Sequence, residues 1–227
     1  ELMTSRNNIL CIFSANTLKE ANFTKNGKDL SYDVAKYKRI YPCTYMITGL
    51  KIGYLNSAIF VGTDKGDVEV FDYKLTNILR SVKVFDKQIN SLTFSQRHDF
   101  LVLSCDSGVK IYDPETFDLV TELRSEYPTN CAQLSPLMYR KENPRFHVIM
   151  GGGAKARDQA FLEQGGLEVN IVNAIHGHRV AQLIGHYGPI NWIECCPDGS
   201  GFVSAGEESL VKYFRFDKNY HDLPEFE

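Results

Sequence analysis

Several features that would settle a function quickly are scarce or missing in this chain of 227 residues. No apolar run approaches the roughly 18 residues of a membrane-spanning helix. The opening ELMTSRNNIL has no basic stretch leading into a long apolar one, so no secretory leader is read there. Charge of one sign is not in excess: the formal net charge is −3, which gives no electrostatic case for direct nucleic-acid binding. Any RNA is expected to be reached through a partner. C-x-x-C pairs are missing as well. The six cysteines are Cys11, Cys43, Cys105, Cys131, Cys195 and Cys196, several of them inside apolar runs. An even count is compatible with three disulfides, but the chain length and the adjacency of Cys195 and Cys196 argue against a stapled secreted framework. Buried thiols in a reducing, cytoplasmic compartment are expected instead. Helical periodicity is absent outside a short turn within Lys155 to Gln164, which leaves an all-β chain.

Signatures of chemistry are equally thin. Gly151-Gly152-Gly153-Ala154-Lys155 lacks the G-x-x-x-x-G-K-[ST] spacing that wraps backbone amides around phosphates, and reads as a flexible turn. Gly201 to Gly206, GFVSAG, is not the G-x-S-x-G elbow, and Ser204 falls in mid-strand. His176 and His178 flank Gly177 with no cysteine or carboxylate cluster to complete a metal site. No catalytic, cofactor-binding or metal-ligating residue is assigned.

What the chain does have is a repeat. Gly185 to Asp217, GHYGPINWIECCPDGSGFVSAGEESLVKYFRFD, opens with Gly-His and runs through an apolar strand from Ile190 to Cys196. It turns at Pro197-Asp198-Gly199 and continues through two more strands, Gly201 to Ala205 and Leu210 to Phe216. Less faithful copies precede it. Each ends on an anchor pair: Tyr32-Asp33, Phe71-Asp72, Tyr112-Asp113, Val172-Asn173 and Phe214-Arg215, whose second residues are 39, 41, 60 and 42 apart. A period near 40 is the spacing of WD repeats, one four-stranded blade each, and the long interval holds an insertion, AKARDQAFLEQGG, in a strand-to-strand turn. In the third copy the strand Thr116 to Leu123 is expected on the outer edge, carrying Asp118 and Glu122. The expected fold is a WD40-type β-propeller of about five blades, with residues 1–227 forming one domain.

In such blades a His entering the first strand bonds a Ser or Thr on the second, with an aromatic on the third and an acid from the intervening turn completing the network. The matching residues are His186, Ser204, Phe214 and Glu208. Phe214 has no N–H to offer, so the expected network is partial and structural.

PTNCAQLSP at Pro128 to Pro136, GGG followed by Ala156 and Asp158, GHYGPIN, PDGS, SAGEES and the tail YHDLPEFE together resemble the i subunit of eukaryotic translation initiation factor three. The likeness is close over the last hundred residues; before them it rests on repeat spacing and QIN at Gln88 to Asn90. That family has seven blades, so the resemblance implies that two amino-terminal blades are missing from this chain. It further implies a non-enzymatic scaffold that docks the b and g subunits, takes part in mRNA recruitment and scanning, and meets the small ribosomal subunit indirectly. No membrane, cofactor or direct nucleic-acid contact is implied. The alternative is a propeller scaffold of another complex, such as a ubiquitin-ligase substrate receptor.

Loops from an outer strand to the next blade, and loops from second to third strands, open on one face of a propeller. That rule gathers Asp106, Glu126, Tyr127 and Glu207 into one candidate partner-binding rim, three acids with an aromatic beside Glu126. Either it is a solvated acidic rim, or it is a docking site that suits a basic helix.

Overall fold

A computed structural model describes residues 2–6, 9–13, 39–153, 166–217 and 219–220. The Tyr32-Asp33 anchor, the insertion with Lys155, Ala156, Arg157 and Asp158, and the tail beyond Tyr220 lie outside the described residues. The chain divides into two compact units, Glu1–Asp86 and Lys87–Glu227. In the first, β1 (Leu2–Arg6), β2 (Ile9–Phe13) and β3 (Arg39–Pro42) form one antiparallel meander. A second is made by β4 (Ile47–Ile52), β5 (Ala58–Thr63), β6 (Asp67–Asp72) and β7 (Ile78–Lys83).

The second unit holds three such sheets. They are β8 (Ser91–Phe94) to β11 (Leu119–Arg124) through β9 (Leu101–Cys105) and β10 (Gly108–Tyr112); β12 (Thr129–Leu134) to β15 (Arg179–Leu183) through β13 (His147–Gly152) and β14 (Val169–Asn173); and β16 (Ile190–Cys195), β17 (Gly201–Gly206) and β18 (Val211–Arg215). These are the blades of a WD40-type β-propeller.

The anchor residues have a local cause. Asp72 accepts from the backbone N–H groups of Thr76 and Asn77 at 2.6 and 2.7 Å and so closes the turn from β6 to β7. Those bonds, the one from Asn77 first, hold its carboxyl below the ordinary range. Asp113 does the same for Glu115 and Thr116. Asn173 Oδ1 accepts from Ile175 and His176, both at 2.9 Å, so the turn needs an oxygen acceptor and not a charge. Arg215 has none to offer, and Asp217, two residues on, takes the Asn219 N–H.

Three sequence expectations shift. β1 was not foreseen; its LMTSR carries little apolar alternation yet pairs residue for residue with β2. The outer strand expected from Thr116 begins only at Leu119, because the Asp113 turn consumes the preceding residues and Phe117 sits at φ 62°. Gly151 and Gly152 are no flexible turn: they end β13, where a Cβ on Gly152 would fall 2.0 Å from the Pro128 carbonyl oxygen.

Sheet-on-sheet packing makes the core. In the first unit Leu10 and Tyr41 meet Ile59, Val61 and Phe71, with Tyr41 edge-on to Phe71 at 4.9 Å. In the second, Val102, Ile111 and Leu123 face Ala132, Leu134, Val148 and Met150, while Cys131, Ile149, Val169 and Ile171 face Ile190, Ile193, Cys195 and Phe202. Burying such side chains contributes roughly 1.5–3 kcal/mol each before the entropy of ordering is subtracted. Polar pins cross the same seams. Asn90 Nδ2 donates to Thr129 O and Asn130 Nδ2 to Ile190 O, each at 3.0 Å. Thr93 donates to Ala132 O at 2.9 Å, and Gln133 both donates to Glu194 Oε2 at 2.8 Å and accepts from Cys195 N at 2.9 Å. Five free cysteines are described, four of them buried, and burial pushes the Cys131 and Cys195 thiols up to about 12.

Candidate docking rim

The last sheet carries the polar network. His186 Nε2 lies 2.7 Å from Ser204 Oγ, and its Nδ1 is hydrogen-bonded to the Glu208 carboxylate. His186 and Ser204 are buried. Glu208 reaches back only because Gly206 stands in the bend: a Cβ there would meet Glu208 Oε2 at 2.0 Å. Burial works to raise the Glu208 pKa, but the His186 bond, backbone N–H groups and the His186 charge outweigh it and leave it below the usual 4.5. Phe214 stands outside the hydrogen bonds. It pairs with Phe202 across β17 and β18, rings stacked at 5.0 Å, and lines the apolar seam. The ring thus supplies packing where an indole would supply a donor.

The four candidate partner residues come to one set of strand ends in the second unit. Asp106, after β9, accepts from Asn90 Nδ2 at 3.0 Å and faces Lys87 Nζ at 3.8 Å. The adjoining Ser107 carbonyl takes the N–H of Ser125, the residue before Glu126. Tyr127 is held by Ser125, whose hydroxyl donates to Tyr127 O at 2.7 Å. Pro128 O then takes the Gly153 N–H, and Pro189 O takes the Glu207 N–H at 2.8 Å, so backbone bonds tie the loops along the edge. Asp106, Glu126 and Glu207 are exposed and Tyr127 half-buried. No direct contact joins the three carboxylates to one another among the described residues; they form a spaced acidic row.

Sequence reading missed Tyr187. It stands just ahead of β16 as Tyr127 stands ahead of β12, but its ring is 82% exposed, with Lys212 Nζ 5.5 Å from the ring centre. The signal was available: Tyr127-Pro128-Thr129-Asn130 and Tyr187-Gly188-Pro189-Ile190-Asn191 share an aromatic, a proline and an asparagine. His176 and His178 stack at 6.0 Å on the β14–β15 turn, and no group of three or more His, Cys, Asp or Glu suited to a metal occurs among the described residues.

Comparison with known proteins bears on the same repeats. The family described as WD domain, G-beta repeat matches residues 79–113 and 177–215. The second match begins at the outer strand β15 of one sheet and ends with β18 of the next, so one sequence repeat interlocks two blades. Eukaryotic translation initiation factor 3 subunit I of Danio rerio is 31% identical over 186 residues, 80% of this chain and 55% of the relative. The Bombyx mori subunit I is 30% identical over 78% of this chain and 52% of its own length, and that of Schizosaccharomyces pombe 31% over 75% and 51%. The chain carries WD repeats and is similar in sequence to initiation factor 3 subunit I. It spans about half the length of the subunit I relatives it matches. The wide Asp113-to-Asn173 spacing holds the AKARDQAFLEQGG segment, and Gly153 before it and Gly166 at its end sit at positive φ. No helix among the described residues is long and apolar enough to cross a membrane.

Proposed function

We propose that the chain acts as a scaffold within a translation initiation factor 3 assembly in the cytoplasm, docking its b and g subunits and thereby supporting mRNA recruitment and scanning. It works by binding and not by catalysis, and reaches the small ribosomal subunit and RNA through its partners. The observation that carries this reading is the homology to subunit I across three quarters or more of the chain. The physical basis is a set of interlocked sheets whose strand ends hold loops in fixed register, the kind of surface on which a peptide or helix docks without an ordering cost in the scaffold.

Within that reading the acidic row is the b-subunit site. Arginines or lysines of a basic helix pair with Glu126 and Asp106, and an apolar side chain packs beside Tyr127. Affinity capture of the chain from cells followed by mass spectrometry tests the assembly: recovery of other initiation factor 3 subunits is expected, and recovery of ubiquitin-ligase components in their place overturns it. Calorimetric titration of a carboxy-terminal b-subunit peptide tests the site. Glu126→Lys is expected to weaken binding by about 2 kcal/mol, the cost of reversing one desolvated pair. Unchanged binding by Glu126→Lys and Asp106→Lys, with intact melting curves, moves the site to another face.

A further inference from the structure

We propose that a recess behind Tyr127 receives one primary ammonium group, the head of a lysine side chain brought by the docked partner; this deepens the docking reading above and rests on it. The recess lies where β12 begins, β13 ends and β14 begins, with Ser125, Tyr127, Thr129, Gly152, Glu168 and Asn170 among its lining. Its volume is about 20 Å³, against the roughly 10–15 Å³ that a single water needs. An ammonium is the size of a water. A guanidinium, with four heavy atoms in a plane, is too large.

Acceptors stand in the lining. Asn170 Oδ1 is buried and has no hydrogen-bond donor among the described residues, a costly condition that a bound donor removes. Glu168 Oε2 takes the Gly166 N–H at 2.8 Å, which leaves its second carboxylate oxygen for a further donor. Ser125 Oγ already donates to Tyr127 O, and among the described residues no Lys, Arg or His lines the recess. The carboxylate favours a charged donor over a neutral one, and the Tyr127 ring supplies an electron-rich wall. The walls are preformed: Gly166, at φ 85°, lies so close under Tyr127 that a Cβ there would meet its Cγ at 2.6 Å, and Gly152 packs against Pro128. Lysine, and not arginine, is therefore the partner residue whose head enters the recess behind Tyr127, while the acidic row outside accepts either.

The test is a ¹H–¹⁵N titration of the 227-residue chain with the methylamide of Nα-acetyl-lysine and, in parallel, its arginine and norleucine counterparts. The lysine compound is expected to shift the Asn170 side-chain amide and the Gly152 and Gly166 backbone signals saturably. The arginine compound should bind about tenfold more weakly, the discrimination that steric exclusion from a preformed site provides. Glu168→Gln keeps an oxygen for the Gly166 N–H, so the fold is retained, and is expected to weaken the lysine compound about fivefold by removing the charge. No saturable shift, equal shifts from arginine or norleucine, or indifference to Glu168→Gln overturns the recess reading. The two readings fail separately. A b-subunit peptide weakened by Glu126→Lys alongside a silent lysine titration sinks only the recess. A lysine titration that succeeds with no b-subunit binding sinks only the choice of partner.

Discussion

Two faces of the second unit carry the same register and meet different fates. On the sheet β12–β15 the rows Cys131 and Gln133, Ile149 and Gly151, Val169 and Ile171 look toward the next sheet and are buried, with Cys131 at 1% and Ile149 at 0% exposure. On β16–β18 the equivalent rows are Trp192 and Glu194, Val203 and Ala205, Val211 and Tyr213. Here Trp192 is 39%, Tyr213 57% and Val211 71% exposed. Apart from Glu194 the residues are similarly apolar; what differs is that, among the described residues of this unit, no further sheet packs on that face. A blade's face becomes core only when another sheet lies on it, so each blade's stability belongs largely to its interfaces.

The sharpest way to break that comparison is to cut one residue from each face. Phe202→Ala removes a fully buried ring that stacks on Phe214 and touches Phe216, and is expected to cost about 3–5 kcal/mol, enough to unfold the last sheet. Tyr213→Ser, on the other side of the same sheet, is expected to change stability by less than about 0.5 kcal/mol. Chemical denaturation monitored by Trp192 fluorescence reads both, and equal effects would mean that the exposed face is covered in solution.

Next comes the network that pins the loop to β17. His186→Ala leaves Ser204 Oγ and the Glu208 carboxylate without their ring partner, at a cost of about 1–3 kcal/mol. It has a pH signature. Because the folded-state pKa of Glu208 lies below the ordinary 4.5, the carboxylate's contribution is fully present above 4.5 and disappears as pH falls through the lowered value. Melting curves between pH 3 and pH 7, on the order of the span that covers this titration, should show the wild-type chain losing more stability on acidification than Glu208→Gln. Parallel curves refute the assignment.

The distinction between covered and uncovered faces also marks how far the sequence could be read. In the later sheets the strand order and most turn positions were legible because alternation and turn chemistry are local: Asp72 and Asp113 announce their turns by residue type alone. His186, Ser204 and Glu208 were legible as a set because the repeat fixes their spacing. Phe214 was read through the indole it replaces, and its stacking on Phe202 needed the register of β17 against β18. Gly151 and Gly152 were misread because close approach between strands is a long-range fact that a run of glycines does not announce. The recess behind Tyr127 was invisible for the same reason: Asn170 and Tyr127 are 43 residues apart in the sequence and meet only through β12, β13 and β14.

A smaller effect separates the two asparagines that begin neighbouring blades. Asn130 donates across the seam to Ile190 O, and Asn191, its counterpart on β16, is exposed at the bulge between Ile190 and Trp192. Asn130→Ala is expected to cost about 1 kcal/mol, the net value of one intramolecular hydrogen bond. Asn191→Ala should lie within about 0.5 kcal/mol of the parent. If a further sheet covers β16 in an assembly, Asn191 becomes the donor across that seam, and the gap between the two variants should close on assembly.

The smallest effect on stability is the most direct reading of the open face. Trp192, Val211 and Tyr213 present contiguous apolar surface, and Val203 and Ala205 lie between them in the register. Apolar surface of this kind is what an environment-sensitive hydrophobic dye binds. The chain alone is expected to enhance dye fluorescence under native conditions. A Val211→Ser, Tyr213→Ser double variant should lower that signal by about half while leaving the melting temperature within roughly 2 °C, because neither side chain supports a neighbour. The alternative source of dye binding is partial unfolding of the seam, and it predicts the reverse: removing exposed residues leaves the signal unchanged, and Phe202→Ala raises it. Dye fluorescence and melting measured together on the two variants therefore separate an exposed apolar face from a blade that is coming apart.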